Sequence, residues 1–380
     1  MSDLAKLLQI PARSSAKWRR YDPDILPMHV AEMDFEVDSH VRAKLIEMVT
    51  NSDLGYLGPI PELGAAFAGF AERRWGWKAS AAEIKLAGDV GIAAVEIFRA
   101  ISKPGQKVLI NSPVYTNFYT WTTEAKLEIV DVPLINEESK WVMDLERIEA
   151  AFKSGVKFYL ICNPHNPVGK VYSREELVAV ANLSNKYSVR VISDEIHGPL
   201  TYVNEKFVPY LSIPEGRENG IVITSASKSW NFAGLKAALI NTQNPALFKE
   251  LEQMAEATHW RSGLLGAIAM TTAFAQADAW LDETLIKIER NARSLVGLLE
   301  RELPGVKYLP PQSSYLAWLD FSALDLGENP AEQLMQRGRV ALNPGTEFGA
   351  SYKNHLRLNF ATTPRVLEEG IARIKRAVNS

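Results

Sequence analysis

Cysteine is almost absent from this chain of 380 residues, which contains Cys162 alone. A single cysteine excludes an internal disulfide and fits a reducing compartment, from which we predict a cytoplasmic location. Because Cys162 ends the apolar run Phe-Tyr-Leu-Ile-Cys, we interpret it as a small core residue rather than a nucleophile. The first residues, Met-Ser-Asp-Leu-Ala-Lys, lack the apolar stretch of a signal peptide.

A large net charge and long apolar runs are also missing. The 42 Lys and Arg residues nearly balance the 45 Asp and Glu residues, so the net charge is −3. This balance gives no reason to expect a nucleic acid or an anionic membrane as a partner. No uncharged stretch is long enough to span a bilayer, and no repeat or low-complexity tract is visible. The length suits two domains rather than one.

What the chain does have is a regular alternation of short apolar runs and helical patterns. This alternation predicts an α/β fold with a mostly parallel sheet that helices cover. The predicted strands are 107–111, 127–132, 156–162, 189–193, 221–224 and 237–240. The predicted helices are 39–50, 62–77, 91–102, 173–187, 246–275, 280–303 and one from Pro364. We assign residues 41–275 to a large domain, and residues 1–40 and 276–380, with strands at 315–319 and 356–360, to a smaller one.

The most informative residue is Lys228, which follows the apolar run of a predicted strand at residues 221–224. Ser225, Ser227 and Ser229 surround it in the sequence. A lysine among small hydroxyl residues at a strand end can serve as a Schiff-base amine beside a bound phosphate. Taken alone, the same pattern also fits a solvated surface lysine.

Two further segments follow the ends of other predicted strands. Asp194 ends the run Val-Arg-Val-Ile-Ser, where a partly desolvated carboxylate needs a cationic partner unless it caps a helix. Residues 163–169, Asn-Pro-His-Asn-Pro-Val-Gly, must form a turn. Ligands bind at the carboxyl ends of strands in such sheets. We therefore predict that these polar groups converge with Lys228 on one site.

The chain resembles the fold-type I pyridoxal 5′-phosphate enzymes of the class I/II aminotransferase superfamily, over most of its length. Within them it is most similar to the MalY/PatB-type cystathionine β-lyase branch of carbon–sulfur lyases. The segments that carry the resemblance are residues 26–35, 112–119, 163–169, 194–197, 225–228 and 232–236. The resemblance implies a mostly parallel seven-stranded sheet in a large domain, a smaller α+β domain, and pyridoxal 5′-phosphate as cofactor.

The resemblance also implies roles for individual residues. Lys228 would form the Schiff base and later move protons, and Asp194 would keep the pyridine nitrogen protonated. Asn166 would donate to the ring phenolate oxygen. Tyr115 would stack on the ring face and take part in catalysis. His197, three residues after the aspartate, would contact the cofactor, although a satisfied buried histidine is the alternative.

At the phosphate end, the residues that the resemblance implies are Ser225, Ser227, Lys236, Gly88, Asp89 and Val90. Backbone N–H groups of residues 88–90 would face the phosphate at a helix N-terminus, with the Asp89 carboxylate turned away as a helix cap. Tyr56 would reach the phosphate of the neighbouring subunit, which makes a homodimer the working unit. Arg357 would bind the substrate α-carboxylate, with Ala31, Tyr115 and Asn166 beside it. We assign no metal ligand.

The activity that the resemblance implies is cleavage of cystathionine, or another cysteine S-conjugate, to a thiol such as homocysteine, pyruvate and ammonia. An aminotransferase with the same cofactor is the first alternative, and a weakly active regulatory protein is the second. His197 favours the lyase, because many transaminases have a tyrosine at this position. The chain departs from the branch at Glu32, at Asp89 and in residues 259–263, which bears on the substrate side chain more than on the cofactor.

Overall fold

A seven-stranded sheet forms the centre of the computed structural model, which describes residues 13–137 and 140–380. The strands are β1 (Leu26–Pro27), β2 (Ile84–Ala87), β3 (Lys107–Ile110), β4 (Glu128–Asp131), β5 (Ile135–Glu137), β6 (Lys140–Val142), β7 (Phe158–Cys162), β8 (Arg190–Asp194), β9 (Gly220–Thr224), β10 (Ala238–Asn241), β11 (Lys307–Tyr308), β12 (Leu316–Asp320), β13 (Val340–Ala341), β14 (Asn343–Pro344) and β15 (His355–Asn359).

The strand order in the large sheet is β2-β10-β9-β8-β7-β3-β4. All neighbours from β9 to β4 are parallel, and β10 is antiparallel to both β9 and β2. Every residue of β7, β8 from Val191 onward, and β9 is buried. Strands that helices cover on both faces have such unbroken apolar runs rather than an alternating pattern. The prediction of a mostly parallel seven-stranded sheet is confirmed.

Helices cover both faces of this sheet. The helices of the described chain, of which the last two pack on the C-terminal strands instead, are α1 (Ala16–Arg19), α2 (Ser39–Thr50), α3 (Pro61–Trp75), α4 (Val90–Ile101), α5 (Asn117–Glu124), α6 (Leu145–Lys153), α7 (Arg174–Tyr187), α8 (Pro245–Glu250), α9 (Ala257–Trp260), α10 (Leu264–Gln276), α11 (Asp278–Glu302), α12 (Pro330–Gly338) and α13 (Pro364–Val378). Alternate β7 residues enter two different cores, with Tyr159 and Ile161 in one and Phe158 and Leu160 in the other. This is the period of two that a pleated strand imposes.

A four-stranded antiparallel sheet, β11-β12-β15-β14, lies in the C-terminal part of the chain. The N-terminal segment forms a separate two-stranded sheet with this part of the chain, since β1 pairs in parallel with β13 through Leu26–Val340 and Pro27–Ala341. This pairing supports the placement of the N-terminal residues with the C-terminal ones. The domain boundaries at residues 40 and 276 stay a prediction.

The predicted single helix at 246–275 is wrong, because the chain there forms α8, α9 and α10 with breaks between them. Gly263 is extended at φ −79° and ψ 128°, and its N–H donates to the Lys236 carbonyl at 2.8 Å. A Cβ on Gly263 would lie 2.6 Å from the Leu235 carbonyl oxygen, so only glycine permits this approach. A tertiary contact has overridden the helical pattern. Strand β2 was also missed.

Among the described residues, no single helix is long and apolar enough to cross a membrane. Within that part of the chain, only α10 and α11 taken together have the length and apolar composition of a membrane span, and they are separated by an 85° bend.

Candidate functional site

A cavity of about 600 Å³ opens at the carboxyl ends of β7, β8 and β9. Its volume lies within the usual range for small-molecule sites. Eleven residues that the sequence predicted for the site line this one cavity: Ala31, Asp89, Val90, Tyr115, Asn166, Asp194, His197, Ser227, Lys228, Lys236 and Arg357. Gly88, Ser225 and Tyr56 do not line it.

Lys228 lies in the turn that follows β9, and its amine is held by a main-chain oxygen. Lys228 Nζ donates to the Ala31 carbonyl at 2.9 Å, and the Tyr315 hydroxyl donates to the same oxygen at 3.1 Å. Enclosure of the amine by the protein, followed by the positive charge of Arg357, lowers the pKa of Lys228 to about 8. A large share of the amine is therefore neutral near physiological pH, as a nucleophile or a proton acceptor must be.

Asp194 ends β8, and burial raises the pKa of its carboxyl group to about 7. The Ile196 N–H, which donates to Asp194 Oδ1 at 3.2 Å, and the charge of Lys228 act in the opposite direction. No Lys, Arg or His of the described chain lies within 4.0 Å of this carboxylate. A buried carboxylate in this state is suited to accept a hydrogen bond from a cationic N–H of a ligand.

Arg357 and Asn166 form the opposite side of the cavity. Arg357, on β15, donates to Asn166 Oδ1 at 3.2 Å, to the His29 carbonyl at 3.0 Å and to Asn343 Oδ1 at 2.7 Å. Because a guanidinium only donates, the oxygen of Asn166 must face Arg357, and its NH₂ group remains for another partner. Arg357 Nε has no partner in the described structure, and burial lowers the pKa of Arg357 to about 10. A buried guanidinium that contacts neutral acceptors only is a site for an anion.

The N-terminus of α4 forms another wall of the cavity. Asp89 caps this helix, since its Oδ1 accepts from the Ile92 N–H at 2.9 Å. Its Oδ2 pairs with Lys236 Nζ at 2.9 Å, so the two residues assigned to phosphate binding are bound to each other. A Cβ on Gly91 would lie 2.8 Å from Trp121 Nε1, so the indole ring can pack this closely on the first turn only because residue 91 is glycine. The first turn of α4 thus borders the cavity, and the Asp89 carboxylate faces its backbone N–H groups.

Ser225 and Ser227 have different surroundings. The Ser225 hydroxyl donates to the Ala237 carbonyl at 2.7 Å and accepts from the Ser227 N–H at 3.0 Å, so it stabilises the turn around Lys228. Ser227 lines the cavity itself. A direct phosphate contact is therefore more readily made by Ser227 than by Ser225.

Two asparagines hold the main chain of residues 30–35, which includes Ala31. Asn359 Nδ2 donates to the carbonyls of Val30 and Glu32, both at 2.7 Å. Asn231 Nδ2 donates to the carbonyls of residues 33 and 35, and its Oδ1 accepts from the N–H of residue 33 at 2.9 Å. The carbonyl that holds Lys228 is thus fixed from both sides.

The remaining predicted residues are placed as follows. Tyr115 lines the cavity, with its ring 5.8 Å from that of Trp121 and its hydroxyl accepting from Asn117 Nδ2 at 3.0 Å. His197 is buried, its Nδ1 has no partner in the described structure, and burial lowers the pKa of its ring to about 3. Tyr56 lies outside this cavity and is 90% exposed, which leaves it accessible to a second subunit.

Sequence reasoning missed Arg20, His29, Asn117 and Glu347, which also line the cavity. His29 and Asn117 lie inside segments 26–35 and 112–119, which carry the resemblance, although no role was assigned to them. Glu347 lies in residues 343–349, which the resemblance implies form a loop beside Arg357. Only Arg20 lies outside every such segment. His165, inside the predicted turn at 163–169, holds that turn in place: its Nε2 binds the Pro113 carbonyl and its Nδ1 binds the Tyr172 hydroxyl, both at 2.8 Å. Since a carbonyl only accepts, Nε2 carries the proton.

The fold and the site together define an α/β enzyme with a lysine of lowered pKa at the carboxyl end of a parallel sheet. Residues 23–374 match the family model Aminotransferase class I and II, and the chain belongs to this family. Cystathionine beta-lyase PatB of Bacillus subtilis is 33% identical, over 94% of this chain and 93% of its own length. Cystathionine beta-lyase of Corynebacterium glutamicum is 33% identical, over 97% and 98%.

The solved structures agree with this assignment. The PLP-bound C-S lyase from Staphylococcus hominis has a TM-score of 0.92 at 27% identity and covers 98% of each chain. The fold-type I architecture expected from the sequence is confirmed.

Proposed function

We propose that this protein is a pyridoxal 5′-phosphate-dependent carbon–sulfur β-lyase that cleaves cystathionine or a related cysteine S-conjugate. The observation that carries the proposal is one cavity in which the Lys228 amine, the Asp194 carboxylate and the Arg357 guanidinium meet. The relatives named cystathionine beta-lyase match this chain over nearly its whole length, which supports the same activity here.

The residues present fit the cofactor. Asp194 is a buried carboxylate without a cation in the described structure, as a protonated pyridine nitrogen requires. The N-terminus of α4, Ser227 and Lys236 offer N–H, O–H and ammonium donors to a phosphate on the same wall. Asn166 retains a free NH₂ group for the ring oxygen, and Tyr115 borders the space that the ring would occupy.

When bound, pyridoxal 5′-phosphate withdraws electrons from the α-carbon of an attached amino acid. Arg357 would bind the α-carboxylate with its free Nε and orient the α-carbon toward Lys228. The neutral Lys228 amine would remove the α-proton. Loss of the α-proton would supply the electron pair that replaces the bond between Cβ and sulfur, and the Lys228 ammonium would give its proton to the departing thiolate. Hydrolysis of the three-carbon remainder would release pyruvate and ammonia.

The test is to mix the enzyme with cystathionine in the absence of any keto acid and to measure pyruvate and free thiol. Equal amounts of both products are expected. Turnover that requires an added keto acid and yields no pyruvate would instead identify an aminotransferase. Lys228→Ala should abolish product formation while Lys186→Ala, an exposed lysine far from the cavity, should not.

We infer that the working unit is a homodimer in which Tyr56 of one subunit contacts the phosphate of the other. Exposed apolar side chains concentrate near this residue: Ile46, Val49, Leu54, Tyr56 and Trp260. The rings of Tyr56 and Trp260 contact each other at 6.3 Å, so they form one surface. Light scattering at several concentrations tests the dimer. A loss of cofactor affinity in Tyr56→Phe tests the shared site.

The single cysteine supports a cytoplasmic location, and release of homocysteine would place the enzyme in methionine synthesis. Fractionation of the native cell tests the location.

A further inference from the structure

The cavity has a charged residue for which the lyase chemistry above has no use. Arg20 lines the same cavity as Lys228 and Arg357, but it is exposed where Arg357 is buried. Arg20 therefore stands at the opening and Arg357 at the inner end. A molecule whose α-carboxylate binds Arg357 would extend toward Arg20 if it is long enough.

Arg20 has no counter-ion in the part of the chain that the structure describes. Its guanidinium carbon lies 5.6 Å from the centre of the Tyr21 ring, and no hydrogen bond or ion pair engages it there. The two other arginines of this segment are engaged. Arg13 donates to three main-chain carbonyls, and Arg19 donates to Ser14 Oγ at 2.9 Å. Arg20 is thus available to an anion in the cavity.

The charge of Arg20 also acts inside the cavity. After burial, it is the largest cause that lowers the pKa of His29, another lining residue. The His29 carbonyl in turn accepts from Arg357 at 3.0 Å. His29 therefore lies near both the Arg20 and the Arg357 guanidinium groups. Glu124, which also lines the cavity, is exposed like Arg20, so the opening carries both signs of charge.

We propose that Arg20 binds the distal carboxylate of a substrate whose sulfur-linked part is itself an amino acid, which defines the preferred substrate class as β-thioethers with a zwitterionic far end. Cystathionine belongs to this class, and S-alkyl cysteines do not. Glu124 at the opening favours a distal ammonium group over a plain dicarboxylate. This inference rests on the proposed function and goes beyond it, because it names the residue that distinguishes long from short thioethers.

The test compares wild type, Arg20→Gln, Arg20→Lys and Arg19→Gln, each loaded with cofactor, on cystathionine and on S-ethylcysteine. Arg19 is the matched control, since it is the adjacent exposed arginine and does not line the cavity. For Arg20→Gln we expect kcat/KM on cystathionine to fall about fivefold, mostly through KM, because an exposed charged contact is worth at most about 1 kcal/mol. S-Ethylcysteine should change less than about twofold, and Arg20→Lys should recover part of the loss.

The affinity for cystathionine, measured by tryptophan fluorescence, gives a second reading that needs no turnover. If wild type cleaves neither thioether, the proposed function fails, and the fluorescence titration still decides the role of Arg20. If wild type cleaves both but Arg20→Gln weakens both substrates equally, or neither, the role of Arg20 is refuted and the lyase function stands. An equal loss in Arg19→Gln would show a general charge effect and would also overturn the proposal.

Discussion

The lowered pKa of Lys228 makes a quantitative prediction for the protein without its cofactor. Enclosure of the amine and the charge of Arg357 bring this pKa from the ordinary 10.5 to about 8. At pH 7.5 about a quarter of the Lys228 amine is then neutral, against about 0.1% for an ordinary lysine. At equal access and nucleophilicity, Lys228 should therefore react with an amine reagent roughly two hundred times faster than an ordinary lysine.

The assay is carbamylation by cyanate across pH 6 to 11, followed for each lysine by mass spectrometry of the digested protein. Lys186 is the internal control, because its hydrogen bond with Glu149 raises its pKa. The rate at Lys228 should reach a plateau above pH 9, while that at Lys186 should keep rising to at least pH 10.5. Substitution of Arg357 by Met should move the midpoint of Lys228 upward, because it removes the nearby positive charge.

Two results would refute this reasoning. A midpoint for Lys228 near 10.5 would mean that the amine is as well solvated as a surface lysine. An unchanged midpoint in Arg357→Met would mean that Arg357 does not act on Lys228.

Three other properties should respond to single substitutions. Asp89→Asn should bind pyridoxal 5′-phosphate more tightly than wild type, because Asn still caps α4 but no longer forms an ion pair with Lys236. Asp89→Ala loses the cap as well, worth about 1 kcal/mol in urea unfolding, and so separates the capping effect from the charge effect. Weaker cofactor binding in Asp89→Asn would contradict the argument. Arg357→Lys should reduce kcat/KM roughly tenfold or more, because an ammonium cannot form the bidentate contact of a guanidinium, and an unchanged KM would remove Arg357 from the substrate site. Burial raises the pKa of Glu195 from 4.5 to about 8, so above pH 5.5 the folded state retains a proton that the unfolded chain has lost. The contribution of Glu195 to the free energy of unfolding should therefore fall by about 1.4 kcal/mol per pH unit between about pH 5.5 and 7 and level off above about pH 8, and Glu195→Gln should remove this contribution in urea titrations of the apoprotein.

The sequence predicted the central sheet well because its strands are buried on both faces. Runs such as Phe158–Cys162 and Gly220–Thr224 are apolar throughout, and this pattern needs no tertiary information. Strand β2 was not predicted, because its first three residues are only partly buried and so do not form an unbroken apolar run. The breaks between α8 and α10 escaped because their cause is the approach of Gly263 to Leu235, which no local pattern reports.

The same division holds for the site. Lys228, Asp194 and Asn166 follow strands whose ends meet at one edge of the sheet, so their convergence could be predicted from strand order alone. Arg20 and Glu347 enter the cavity from segments more than 300 residues apart, and only the folded chain brings them together. The pairing of Asp89 with Lys236 was equally hidden, since each residue was assigned to the phosphate separately.

The resting position of Lys228 depends on a main-chain oxygen, that of Ala31, and not on any side chain of that residue. Replacement of Ala31 by almost any residue would leave this acceptor in place, so a mutational scan would overlook it. The position of the Ala31 oxygen depends instead on the side chains of Asn231 and Asn359, which donate hydrogen bonds to nearby carbonyls of the same segment. Neither asparagine lines the cavity. Substitutions outside the cavity could therefore reposition the Lys228 amine through the loop of residues 30–35, with every group that lines the cavity unchanged.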